Sequence, residues 1–329
     1  MASDRDRKQQ LDLFGGPPSG RDRVVGPAAV PDDLAEVAAA LPKEIHLGTS
    51  SWSFPGWDGL VYDRTASKTQ LARHGLAAYA RHPLLKTVGI DRTYYGPIPA
   101  SAFAAYAAAV PEHFRFLVKA SSESTSPYLR EGGGRNELFL DPVYAAEEVV
   151  GPFVEGLGTK AGPLVFQFPP VGKKHTGDPE GFAERLGEFL SALPRGPWYG
   201  VEIRDRELLV PQYVSALESA DAGHVLNVHP RMPPVAEQWK AAGSNPDRPL
   251  VVRWMLHSGL GYEEAQRRYE PFSRLVDEDE GARESIADLA LTHAARRRVV
   301  IIIANNKAEG SAPLTLFALA NSIVHGVRP

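Results

Sequence analysis

Pro163-Leu-Val-Phe-Gln-Phe-Pro-Pro170, Gly181-Phe-Ala-Glu-Arg-Leu-Gly-Glu-Phe-Leu-Ser-Ala-Leu193 and Trp198-Tyr-Gly-Val-Glu-Ile203 read as one strand–helix–strand unit. The outer runs are short and apolar, as strands covered on both faces are, and the middle run has helical composition. The same alternation extends in both directions. Further strand runs are Ile45–Thr49, Lys86–Asp91, Phe114–Lys119, Ala222–Val228, Leu250–Trp254 and Arg298–Ala304. Further helical segments are Leu71–Arg81, Ser101–Val110, Val143–Glu155, Glu207–Ser219, Val235–Ala242, Tyr262–Arg296 and Leu314–Ile323. Strict alternation implies a parallel sheet with crossover helices. Eight such units predict a TIM-like (β/α)8 barrel over residues 43–329. An open doubly wound sheet is the alternative. Its phosphate-binding fingerprint, G-x-G-x-x-G, is missing after the first strand, where Gly48-Thr-Ser-Ser-Trp52 stands.

Composition narrows the function classes. The chain has 329 residues, and 36 Lys+Arg against 40 Asp+Glu give a formal charge of −4. That excludes a globally basic nucleic-acid binder but leaves room for a local basic cleft. The absence of cysteine excludes disulfides, zinc–thiolate sites, iron–sulfur clusters and cysteine nucleophiles, and fits a reducing compartment. No apolar run reaches membrane-spanning length, and Met1–Gln10 lacks the apolar core of a secretory signal. A cytoplasmic location without membrane association is the expectation. Residues 1–42 are set apart as a tail, rich in charge, Gly and Pro, with disorder expected over Met1–Arg23 and a short helix over residues 31–41.

A barrel active site forms where strands end. The eight strand ends carry Ser50 and Trp52; Asp91 with Arg92, Tyr94 and Tyr95; Lys119; Gln167; Glu202 and Arg204; Asn227 and His229; Arg253; and Asn305, Asn306 and Lys307. One such residue is as readily a strand exit as a functional group. Eight together predict a polar pocket. Glu202 and Arg204 flank Ile203 and share a strand face, whereas Asp91 and Arg92 point oppositely. Lys119, Arg253 and Lys307 form a candidate basic pocket, and a buried Lys119 needs a carboxylate, phosphate or imine partner. Only His229 and His257 fall near strand ends, too few imidazoles for a three-zinc cluster. One oxygen-ligated Mg²⁺ or Mn²⁺ on Asp91 and Glu202 is the remaining metal expectation. Ser50 and Ser51 lack a nucleophile elbow. The aromatic residues Trp52, Phe54, Trp57, Tyr62, Tyr94 and Tyr95 fit loop packing first, with base or sugar stacking as the second reading.

Several motifs carry a family resemblance. They are His46-Leu-Gly-Thr-Ser-Ser-Trp-Ser-Phe-Pro-Gly-Trp57, Thr93-Tyr-Tyr95 with Pro99, Phe114-Arg-Phe-Leu-Val-Lys119, Pro163–Pro170, Val201-Glu-Ile-Arg204, and Asn305-Asn306 with Gly310-Ser-Ala-Pro313. Over about residues 44–325 the chain resembles domain of unknown function 72, the YecE-like proteins. The resemblance implies a TIM-like barrel and no established reaction. Two departures from the family pattern stand out. Val88-Gly-Ile-Asp91 replaces V-E-I-N at the second strand, and Ser124-Thr-Ser126 lacks the family's histidine after the third.

In the tail, Gln10, Leu11, Asp12, Leu13 and Phe14 spell Q-L-D-L-F. This resembles the pentapeptide by which bacterial replication and repair proteins dock on the DNA sliding clamp. Three functions follow from these features. The first is a DNA-maintenance enzyme, recruited by the clamp and acting on a phosphodiester or nucleotide. In it Lys119, Arg204, Arg253 and Lys307 hold phosphate, Asp91 and Glu202 hold a metal or act as base, and Tyr94, Tyr95 or Trp52 stack a base. The second is a small-molecule isomerase, lyase or hydrolase of the sugar or sugar-phosphate type, with Lys119 or Glu202 transferring the proton. The third is a non-catalytic, clamp-tethered binding module.

Overall fold

Parallel strands form one sheet in the computed structural model, which describes residues 25–129 and 131–326. They are β1 (Ile45–Thr49), β2 (Leu85–Ile90), β3 (Arg115–Lys119), β4 (Ala161–Gln167), β5 (Tyr199–Glu202), β6 (Gly223–His224), β7 (Leu226–Val228), β8 (Leu250–Trp254) and β9 (Val300–Ala304). Their order is β6-β5-β4-β3-β2-β1-β9-β8-β7. The two ends of this order, β6 and β7, are separated in the chain by Val225 alone. The Val225 N–H donates to the Val201 carbonyl at 2.8 Å, continuing the ladder from β5. The sheet is therefore a nearly closed barrel with eight strand positions, and the expected strand Ala222–Val228 is its seam.

The main helices are α1 (Asp32–Ala40), α2 (Ala100–Ala108), α3 (Gly151–Leu157), α4 (Pro179–Ala192), α5 (Pro211–Ser219), α6 (Val235–Ala241), α7 (Tyr262–Tyr269), α8 (Glu280–Ala295) and α9 (Ala312–His325). Helix α4 shows why they form. Asp178 caps it by accepting the Gly181 N–H at 3.0 Å, and Pro179 occupies the first turn. Phe182, Leu186, Phe189 and Leu190 then line one buried face, and Phe189 meets Phe166 of β4 edge-on at 5.2 Å. Each such side chain contributes roughly 1.5–3 kcal/mol by leaving water.

Two expectations are revised. The segment Tyr262–Arg296 is not one helix. Pro271 lacks the N–H that would continue α7, and α8 restarts at Asp279, whose carboxylate accepts the Ala282 N–H at 3.1 Å. Residues 25–41 do not stand apart from the barrel. The predicted short helix is α1, and Val25, Leu34, Val37 and Leu41 are buried in the main core. Residues 10–14 lie outside the described residues. Among the described residues, no helix is long and apolar enough to cross a membrane.

Candidate active site at the barrel mouth

The barrel interior sets the site by period two. Leu117, Val165, Val225, Val251, Ile301 and Ile303 form one apolar cluster inside the sheet. Two residues further along the same strand faces stand Lys119, Gln167, Asn227, Arg253 and Asn305. Gly200 also faces this cluster, since a Cβ there would lie 2.7 Å from Val225, and two residues on stands Glu202. The core thus passes from apolar to polar in one layer at the C-terminal end, as the strand-end reading expects.

An ion-pair floor occupies the centre of that layer. Arg253 Nη1 donates to Glu202 Oε2 at 2.7 Å, and Arg253 Nη2 donates to Asp91 Oδ1 at 3.1 Å. Arg204 Nη2 pairs with the other oxygen of Glu202. Burial pushes the Glu202 carboxyl up, but Arg204, Arg253 and Lys119 together outweigh burial and hold it below the usual carboxylate range. Arg253 is only 1 % exposed. Its guanidinium is thus held by the two carboxylates, where the sequence suggested an anion pocket. Asp91 and Glu202 share this guanidinium, and among the described residues no third carboxylate or imidazole joins them to form a metal-binding group.

Lys119 stands beside this floor in a different state. Its Nζ lies 3.5 Å from the centroid of the Tyr94 ring. Among the described residues no carboxylate comes within ion-pair distance of it. Burial lowers its amine to about 7, with Asp91 opposing that shift less strongly.

The walls divide the remaining candidates. Ser50 Oγ accepts from Asn305 Nδ2 at 2.8 Å, and Asn305 Oδ1 accepts the Lys307 N–H at 3.0 Å. His229 Nδ1 accepts the Arg231 N–H at 3.2 Å, which assigns the ring proton to Nε2. Burial, then Arg204, lowers its pKa to about 4, so it is a neutral hydrogen-bond donor at pH 7. Gln167 is buried beside Glu202, its register partner. Tyr95 is exposed on the rim and meets Tyr94 edge-on.

Two candidates make contacts within the fold. Asn306 is turned inward, where its Oδ1 accepts from Trp57 Nε1 at 3.2 Å and from the Ala312 N–H at 2.9 Å. Trp52 is buried and meets the Tyr106 ring edge-on at 5.1 Å. Sequence reading missed Tyr262 and Phe272, whose rings lie 4.3 and 5.6 Å from Lys307 Nζ. No local pattern marks them, because they lie in the segment that the sequence reads as one helix.

This barrel matches a known family model over residues 46–327, that of the protein of unknown function DUF72. The chain belongs to the DUF72 family. A DUF72 protein from Thermotoga maritima MSB8 superposes with a TM-score of 0.56 at 20 % identity, covering 85 % of this chain and 98 % of that one. One from Enterococcus faecalis V583 gives 0.52 at 17 % identity, covering 85 % and 97 %. At these identities the likeness shows the fold alone. Among curated proteins, none matches the chain. Within the DUF72 barrel, both departures noted in the sequence have a structural place. A Cβ on Gly89 would lie 3.2 Å from the Ser50 backbone, and Asp91 carries the negative charge onto Arg253. Ser124 is buried, and Ser126 Oγ donates to the Tyr128 carbonyl at 2.7 Å.

Proposed function

We propose that this DUF72 barrel is a small-molecule enzyme, an isomerase, lyase or hydrolase, that moves a proton on an anionic substrate. Lys119 is the transferring amine. The observation that carries this reading is the Lys119 Nζ held on the Tyr94 ring at 3.5 Å without a carboxylate partner. An amine near 7 populates its acid and base forms together at neutral pH, which suits proton transfer. Glu202 is a poor base in this setting, since two arginines stabilise its charged form. Its role is to fix Arg204 and Arg253. Arg204, at the edge of this floor, then offers its remaining N–H groups to a carboxylate or phosphate.

The test is solvent exchange. The protein is incubated in D₂O with a panel of hydroxy acids, keto acids and sugar phosphates, and deuterium uptake is followed by NMR. The expected result is uptake into at least one compound that Lys119→Met abolishes. A Lys119 amine that titrates in the ordinary lysine range, with no uptake anywhere, overturns the reading.

A second reading concerns location, and it rests on the five-residue match at Gln10–Phe14. We infer that this segment docks on the bacterial sliding clamp, with Leu13 and Phe14 filling an apolar pocket and Gln10 anchoring by its amide. Because Val25 already packs on the barrel, only residues 15–24 join the motif to it. Fully extended, they reach about 35 Å. Binding of the full chain to purified clamp, lost in a Leu13→Ala/Phe14→Ala double variant, is the expected result. Absence of binding by the intact protein removes the proposal. The same clamp-bound protein, assayed on DNA with Mg²⁺ and Mn²⁺, distinguishes a phosphodiester substrate from a small molecule.

A further inference from the structure

Lys307 repeats the state of Lys119 on the other side of the mouth. Its backbone is held from two directions, since its N–H donates to Asn305 Oδ1 at 3.0 Å and its carbonyl accepts the His257 N–H at 2.9 Å. The Nζ lies 4.3 Å from the Tyr262 centroid and 5.6 Å from the Phe272 centroid. The residue is 9 % exposed, and among the described residues no carboxylate lies within ion-pair distance. A nearly buried ammonium without a counter-charge is costly, and a ring face compensates only part of that cost.

Position adds to this. β3 and β9, which deliver Lys119 and Lys307, stand three places apart in the strand order, so the two amines approach the mouth from nearly opposite walls. The carboxylates of the mouth are already taken, Asp91 by Arg253 and Glu202 by Arg253 and Arg204. Two arginines therefore share these two carboxylates, and among the described residues neither Lys119 nor Lys307 has a carboxylate within ion-pair distance. Burial also lowers the Lys307 pKa, against the raising influence of Glu270, so the amine gains most from an anion that enters with a ligand.

We propose that Lys307 is a second anion-binding pole of this site, so that the ligand is a small acid bearing two anionic groups, a carboxylate towards Arg204 and Lys119 and a phosphate on Lys307. The inference rests on the Lys119 reading above. The assignment of ends follows from donor shape. A guanidinium fork matches a planar carboxylate, whereas a lysine ammonium is a point charge suited to a tetrahedral phosphate.

Calorimetric titration of the full chain tests it, with acetate, inorganic phosphate, 2-phosphoglycolate, 3-phosphoglycerate and 6-phosphogluconate as probes. The three phosphorylated acids place their charged ends at increasing separation. One of them is expected to bind at least about tenfold more tightly than either single-headed anion, because the second contact is intramolecular. Lys307→Met should erase that gain and weaken inorganic phosphate while leaving acetate unchanged. Lys307→Arg, which keeps the charge, should retain the gain within about threefold. Equal binding of single- and double-headed anions, or a Lys307→Met protein indistinguishable from the parent, overturns the second pole. If Lys119→Met weakens acetate in that case, the Lys119 reading survives alone. If Lys119→Met leaves acetate unaffected, both readings fall.

Discussion

Glu202 and Arg253 are joined at 2.7 Å across the seam of the barrel. They belong to β5 and β8, and between those strands the ladder changes hands, with β6 pairing to β5 and β7 to β8. The ion pair thus closes, by side chains, the place where the backbone ladder is interrupted. Asn227 adds a second tie there, donating from Nδ2 to the Ile203 carbonyl at 3.3 Å.

Glu202→Gln should accordingly cost stability. The amide keeps the shape but leaves buried Arg204 without its counter-charge and Arg253 with Asp91 alone, which costs about 3–5 kcal/mol. Chemical denaturation at pH 7 measures this. The pH dependence has a defined sign. The folded carboxyl lies below the usual range, so its stabilisation is complete above the unfolded value and is lost as the pH falls through the folded one. The parent should lose its advantage over the variant in acid. A variant within about 1 kcal/mol of the parent at pH 7 contradicts this role for the pair.

Lys119 titrates the other way. Between about 7 and its ordinary value of 10.5, the unfolded chain holds a proton that the folded chain has released. This group therefore makes stability rise as the pH rises through that window. Activity that needs the free amine should rise through about pH 7 as well. Unfolding midpoints at pH 7 and pH 9, compared for the parent and Lys119→Met, isolate the contribution. The same rise in both proteins removes it.

How far the sequence anticipates this site follows from where each interaction originates. The bounds of β1 and β8 agree with the apolar runs residue for residue, because composition changes sharply at both ends. The seam at Val225 was not legible, since an unbroken run, Ala222–Val228, gives no sign that its pairing partner changes midway. The break after α7 was legible in Pro271, a residue that removes a helical donor. The polar layer itself was readable from strand ends, but its internal pairing was not. Arg253 takes its carboxylates from positions 51 and 162 residues away, and only closure of the barrel brings them together. Asn306 shows the converse. Adjacent to Asn305 in sequence, it turns inward because Trp57, 249 residues distant, needs an acceptor for its indole N–H.

His229 should behave as a fixed neutral donor. Burial keeps its pKa at about 4, and the Arg231 N–H occupies Nδ1. Nitrogen shifts recorded by NMR from pH 5 to 8 should show the Nε2–H tautomer throughout, without a titration step. His229→Gln retains an N–H donor and should keep more activity than His229→Ala. A titration near the ordinary histidine value, or equal losses in the two variants, contradicts the assignment.

Gly48 is the position where the barrel has least room. A Cβ there would lie 1.9 Å from the Thr87 carbonyl oxygen, a backbone atom of the neighbouring strand. That oxygen is itself fixed, accepting from the Tyr79 hydroxyl at 3.1 Å, and the same hydroxyl accepts the Thr49 N–H at 2.9 Å. The β1–β2 register also shifts between Leu47 and Gly48, so the two strands approach closely there. Gly48→Ala cannot be absorbed by a rotamer change, because the obstacle is main chain. It should destabilise the protein by about 3 kcal/mol or more. Gly223→Ala on β6 is the matched control, since a Cβ there meets nothing within 4 Å. It should shift stability by less than about 1 kcal/mol. Denaturation curves for the two variants should therefore separate widely. If they coincide, β1 and β2 have more freedom to part than this close contact allows.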